Sequence, residues 1–305
     1  LVYSTRLGGI DVLKKRIRML NDLQENVNLL ACPVCGESLV PGQEGLTCQK
    51  GHHFDPARQG YLHLNTGRPG DFYDRGLFEA RRRMIRSGLY GPLLNRLAEM
   101  ICGWTEKSGR DPVVLDAGCG EGSHLQELHR KGIPGRLVGM DISREAVRMA
   151  AGDPAGILWL VGDMNRIPLL DSSTDVILNI LSPAGYREFL RILRPDGLVI
   201  KVVPEPEYLL EIRRLLPGNG QPYDNSPVVE GFRQHFSQTS YETISWKVPV
   251  LPETLRDLLV MTPMTRGRNP EEILPGMKVC REITVSLGIL SGFPSAASPP
   301  DQGPD

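Results

Sequence analysis

A chain of 305 residues, 40% of them hydrophobic, is long enough to bury more than one core, and its formal net charge of −1 excludes a uniformly basic nucleic-acid coat. No apolar run approaches the roughly eighteen residues needed to cross a bilayer, so no membrane partner is expected. Six cysteines, with no signal peptide ahead of them, fit a reducing cytoplasm better than a disulfide framework.

Residues 1–27 carry Leu13, Ile17 and Leu20 at helical spacing beside a basic face, which predicts an N-terminal helical extension with no chemistry of its own. Residues 28–66 hold the first informative pattern. Cys32 and Cys35 form C-x-x-C; Cys48 and His52 form C-x-x-x-H after a gap rich in turn formers. Four such ligands in two close pairs match a closed tetrahedral zinc site of the Cys₃His type. A redox C-x-x-C would leave the second pair without a role. His53 is adjacent and competes with His52 for the fourth place. With every position filled by protein, no water can bind, so the metal is expected to be structural. FDPARQGYLHLN, which follows, reads as short strand and turn, while Cys102, Cys119 and Cys280 are scattered and read as buried thiols.

Residues 67–110 predict a helical linker rich in arginine. Arg81, Arg82, Arg83 and Arg86 are its candidate RNA contacts, because guanidinium groups on one face can hold phosphates. The competing reading is a solvated helix face.

Residues 111–290 form the predicted catalytic domain, an α/β doubly wound sheet. VVLDAGCGEG (Val113 to Gly122) is a hydrophobic strand running into a turn where Gly118, Gly120 and Gly122 let backbone approach a ligand. A dinucleotide site would want G-x-G-x-x-G, and this turn is G-x-G-x-G. RLVGMD places Asp141 at the end of a second strand, where a carboxylate can accept hydrogen bonds from ribose hydroxyls; ILWLVGDM ends a third at Asp163 and Met164. TDVILNILSP gives a fourth strand ending near Asn179. A helix, a tight turn at Arg194–Gly197 and a fifth strand follow. ETISWKVPV and EITVSLGIL are expected to pair as reversed final strands, and residues 291–305 read as a disordered tail.

The succession LDAGCGEG, MDIS, GDMNRIPL, LRPDG resembles the class I, Rossmann-like methyltransferases that use S-adenosylmethionine. That likeness implies cofactor contacts from Asp116, Gly118, Gly120, Asp141, Asp163 and Met164. From about Leu30 to Leu290, the ordered set CPVC…CQKGHHFDPARQGYLHLN, ARRRMIRSGLYGPL, LDAGCGEG and VMTPM resembles the RlmA-type methyltransferases, which act on N1 of a guanine in 23S ribosomal RNA. This second resemblance implies zinc on Cys32, Cys35, Cys48 and His52, a zinc module that helps grip an RNA hairpin, and cofactor contacts from Tyr90, Gly122, Ser123 and Tyr208. Tyr208 departs from the histidine that some relatives carry. NILSPAGYREF is closer to the Gram-positive branch, which modifies a neighbouring guanine in the same hairpin.

The chemistry itself demands a proton acceptor, since N1 of guanine has no lone pair in its ring plane while protonated. Asn179, with Ser182 and Pro183 after it, is placed to meet the base edge; Asp71 and Glu121 are the candidate carboxylates. Phe72, Tyr73 and Tyr186 are candidates to stack on an extruded base. Two other readings stay open: a class I enzyme acting on another RNA, a small molecule or a protein, with zinc purely structural, and an RNA-binding protein without turnover. Paired subunits would build a larger cleft, so a homodimer is an option. Whether methylation would serve ribosome assembly or antibiotic resistance is not written in the residues.

Overall fold

Two-residue strands open the fold: β1 (Val40–Pro41), β2 (Leu46–Thr47) and β3 (His53–Phe54) form a three-stranded antiparallel sheet, and β4 (Leu62–His63) leaves it. The computed structural model describes residues 23–42, 45–67, 75–153, 156–216, 223–250, 252–277 and 280–295. Most of segment 1–27, the tail beyond residue 295, and Asp71, Phe72 and Tyr73 lie outside the described residues.

Strands β5 (Val113–Ala117), β7 (Ile157–Val161) and β8 (Thr174–Ile180) are buried from end to end, as parallel strands covered on both faces must be. With β6 (Arg136–Asp141) and β9 (Leu193–Pro204) they make a parallel sheet, to which β11 (Glu282–Pro294) adds antiparallel against β9, and β10 (Phe236–Pro249) antiparallel against β11. The full order is β10-β11-β9-β8-β5-β6-β7-β4. The reversed final pair is therefore as the sequence predicts, although β11 runs into the segment read as tail. The tight turn expected at Arg194–Gly197 is instead the irregular start of β9, where the register against β8 shifts between Thr174 and Val176.

Successive residues of each strand feed two cores. Val114, Trp159, Val176 and Ile200 pack on one face with Leu93, Leu97 and Ile101 of a helix, α2 (Gly91–Ser108), which follows α1 (Arg75–Arg86). That helix opens with proline in its first turn and stops at Gly109, whose φ of +68° suits the left-handed cap. On the opposite face Leu115, Val138, Leu158 and Val199 share a core with Leu29, Leu30, Cys32, Leu39, Leu46 and Leu62 of the N-terminal segment. Backbone bonds bind the two further: Ala31 N–H to Pro168 O at 3.1 Å and Leu170 N–H to Leu29 O at 2.8 Å. The strand order reverses between β5 and β8, so the crevice at their carboxyl ends is where a ligand belongs.

Candidate functional site: a metal cluster and a cofactor cavity

The ligand atoms of Cys32, Cys35, Cys48 and His52 all lie within 4.8 Å of one another. Cys48 Sγ sits 3.3 Å from His52 Nδ1, and Cys35 Sγ lies 3.7 Å from Cys48 Sγ. Three soft thiols and one imidazole at this spacing fit a tetrahedral zinc ion. The choice within the histidine pair is resolved by geometry: His53 Nε2 pairs with Asp55 Oδ1 at 2.9 Å, and only His52 enters the cluster.

The crevice at the sheet's carboxyl edge is a cavity of about 770 Å³. Its first wall is the glycine turn between β5 and α3 (Ser123–Arg130). Gly118 has φ +86°, and a Cβ there would lie 2.0 Å from Ser182 Oγ and 2.7 Å from Ser182 Cβ, so only glycine fits. Replacing Gly118 with alanine is expected to displace the Leu181–Pro183 turn, weaken cofactor binding at least tenfold and destabilise the fold by about 2–3 kcal/mol, from the left-handed backbone and the clash together. Calorimetric cofactor titration beside thermal melting checks it.

Asp141 closes the turn from the neighbouring strand. One of its oxygens accepts Gly120 N–H at 2.9 Å, the other accepts Ser143 N–H at 2.8 Å, and the side chain still lines the cavity. Such an acid can take ribose hydroxyls on its remaining lone pairs. Asp116, 1% exposed, has neither carboxylate oxygen paired; burial and then the carboxylates of Asp141 and Glu121 push it up to about 7. An orphaned carboxylate under a glycine turn is a ready partner for a cationic ligand group. Tyr90 and Tyr208 meet across the cavity with their hydroxyls 2.5 Å apart, and the Tyr90 ring stands edge-on to His124 at 5.2 Å. His124 is buried, and that burial, followed by the charge of Arg81, lowers it to about 3, so the ring is neutral.

Several expected contacts fall elsewhere. Glycine at 122, with φ +82°, has its open side against the Trp159 ring and Ala150, so it serves helix-on-sheet packing and does not line the cavity. Ser123 donates to Glu121 at 2.6 Å. Asp163 is spent on its own turn, accepting Asn165 N–H at 2.9 Å, while Met164 packs near Gly118 outside the cavity lining. Glu121, 1% exposed and paired with Arg82 at 3.2 Å, cannot reach a base. Asn179 is wholly buried: its amide donates to Ala117 O and Pro183 O, both at 2.8 Å, which corrects the expected contact with the base edge. Tyr186 packs among Phe189, Phe232 and Phe236, away from a stacking role.

The arginine row is held largely by partners within the chain. Arg82 holds Glu121 and the Met149 carbonyl, Arg83 grips Asp257 with two bonds of 2.6 Å, and Arg86 pairs with Asp153 at 2.5 Å. Arg81 alone of the four turns into the cavity.

A family model described as "RlmA, N-terminal" matches residues 30–65, and one for a methyltransferase domain matches residues 114–197. The 23S rRNA (guanine(748)-N(1))-methyltransferase of Streptomyces fradiae is 30% identical over 86% of this chain and 95% of its own length. A Bacillus subtilis protein, whose name provisionally assigns it guanine-N1 methylation of 23S rRNA, is 34% identical over 87% of this chain and 97% of its own. The chain belongs to the 23S rRNA (guanine-N1-)-methyltransferase family. A Micromonospora griseorubida relative, named in the same provisional way, is 29% identical over 85% of this chain.

For a methyltransferase of this family, the sequence reading gave Arg81 to RNA and missed other cavity residues with chemistry, among them His124, Arg213, Asp224 and Lys201, which is 4% exposed on β9. A lysine in the otherwise apolar run LVIKVVP was the available signal.

Proposed function

We propose that this protein transfers the methyl group of S-adenosylmethionine to N1 of a guanine in 23S ribosomal RNA. The observation that carries the reading is the cavity of about 770 Å³ at the switch point of the sheet. Drug-sized ligands fill pockets of about 300–1,000 Å³, so there is room for a nucleoside cofactor and part of a flipped base. When bound, the cofactor supplies an already electrophilic methyl, and the protein's task is alignment.

On this reading Asp141 holds the ribose hydroxyls, Asp116 balances the ammonium of the methionine part, and Arg81 takes its carboxylate. Arg81 suits that task because it forms no hydrogen bond or ion pair among the described residues, and it lies 3.4 Å from where a Cβ on Gly120 would stand. Tyr90 and Tyr208 wall the cofactor, and Arg213 fixes the Tyr208 turn by donating to the carbonyls of Pro206 and Tyr208 at 3.0 and 3.2 Å. We assign the zinc segment a structural metal and contact with the RNA hairpin around the target. A guanine equivalent to that named for the Streptomyces fradiae relative is the proposed position, in the cytoplasm, where thiol ligands stay reduced. No helix among the described residues is long and apolar enough to cross a membrane.

Incubation of the protein with unmodified 23S rRNA and labelled S-adenosylmethionine, followed by nucleoside mass analysis and reverse-transcription stop mapping, tests this. The expected result is 1-methylguanosine at one stop. Bound cofactor with no label in RNA would move the substrate to a small molecule or a protein.

A further inference from the structure

Lys201 is a buried lysine whose nitrogen pairs with no acid among the described residues. It stands on β9 directly across from Asn179 of β8, and its Nζ donates to Asn179 Oδ1 at 2.6 Å and to Ser182 O at 3.0 Å. Asn179 is locked in turn by its own two bonds to backbone carbonyls, and Leu181 between them takes a left-handed φ of +51°. The turn that borders the cavity is thus braced around one nitrogen. Both acceptors are neutral, so nothing in contact demands a charged ammonium. A neutral amine has two N–H bonds, which these acceptors use, and one lone pair. Lys201 lines the cavity, and its nitrogen has one position that these two acceptors do not use.

We infer that Lys201 is the general base of the reaction, accepting the N1 proton of the target guanine. This rests on the methyl-transfer reading above. In the step, the N1–H bond breaks and its proton joins the Nζ lone pair. The pair left on N1 takes the methyl, and the electrons of the methyl–sulfur bond pass to the departing sulfur. The resulting ammonium then returns its proton to water. Burial lowers Lys201 to about 8, which matches a base working near neutrality, whereas Asp224, the carboxylate that lines the cavity besides Asp141 among the described residues, is held below the usual range by its hydrogen bonds to Ser226.

Of the other ionisable groups at the site, Asp116, raised to about 7, titrates closest to Lys201, and the Nζ signal of labelled lysine separates the two. Arg81 from α1 and Arg213 beyond β9 share the cavity lining, while His124 from α3 stays neutral. Burial raises the thiol of Cys119 and the hydroxyls of Tyr90 and Tyr208. Asp141, at the end of β6, is raised by burial from the carboxylate range.

Single-turnover methylation of 23S rRNA between pH 6 and 9.5 at saturating cofactor reads the proposal. The wild-type rate is expected to rise about tenfold per pH unit below about 8 and then level. Lys201→Arg keeps donors and charge but has no lone pair, so it should lose about 10²–10⁴-fold in rate while keeping its melting temperature and cofactor affinity. Small primary amines should partly restore Lys201→Ala. In ¹⁵N-lysine-labelled protein without cofactor, one Nζ signal absent from Lys201→Arg should titrate near 8. A rate that is flat or falls with pH, or a Lys201→Arg enzyme within threefold of wild type, overturns the assignment. If Lys201→Ala does not fold, the wild-type profile and Lys201→Arg still decide. Absence of any wild-type transfer to 23S rRNA would instead sink the proposed function.

Discussion

Replacing Cys48 with serine, or stripping the metal with a chelator, is expected to lower the melting temperature of the whole chain by about 10 °C. Loss of a structural metal belongs to the few changes that cost more than about 4 kcal/mol. The loss cannot stay local, because Cys32 and Cys48 share a core with Leu115, Leu158 and Leu160 of the central sheet. At about 2–4 °C per kcal/mol for a chain of this size, the shift follows. Cofactor affinity should weaken several-fold as well. The segment anchors the loop from Gly162 to Leu169, with Arg166 donating to Val34 O at 2.9 Å and Pro168 O accepting Ala31 N–H, and that loop sets Met164 against Gly118. Scanning calorimetry with metal-release stoichiometry checks both. An unchanged melting temperature after complete metal release would show that the ribbon is only appended.

Arg82→Ala is the second large effect, and it separates structure from RNA binding. Glu121 is 1% exposed and Arg82 is its ionic partner at 3.2 Å; removing the guanidinium strands a buried carboxylate, an outcome costing about 3–5 kcal/mol. The Glu121 and Met149 carbonyls lose donors at 3.0 and 2.8 Å too. By contrast Arg86→Ala, at an exposed pair, should stay within about 0.5 kcal/mol. Urea unfolding gives the stabilities, and filter binding over a salt series gives RNA affinity. Retained stability with a flatter salt slope in Arg82→Ala would return that residue to the RNA-contacting role.

The parallel centre of the sheet was legible because β5, β6, β7 and β8 are apolar runs bounded by turn chemistry, and the metal site because ligand spacing along the chain survives folding. Gly118 and Asp141 were legible for a related reason: each sits at a strand end, where the fold class dictates what a side chain faces. The arginines were not. A run such as Arg81–Arg82–Arg83 distributes its members around a helix, and only the packing of α1 against the turn decides that one faces the cavity, one a buried acid and one the distant Asp257. Asn179 misled because a polar residue at a strand end can point either to ligand or into the sheet. Its partner Lys201 stands in a neighbouring strand, a pairing that no local pattern reveals. Nor did a two-residue strand such as β4 leave enough periodicity to predict that it would join the main sheet.

That short strand also orders events during synthesis. Leu62 pairs with Leu160, roughly a hundred residues downstream, so when the N-terminal segment leaves the ribosome the strand it must dock on has not been made. The β4 edge and the apolar side chains destined for the sheet would be left open to wrong partners through that interval. A metal ion on the Cys32–His52 cluster needs only residues made before that point, so it would hold the segment together until its docking strand arrives.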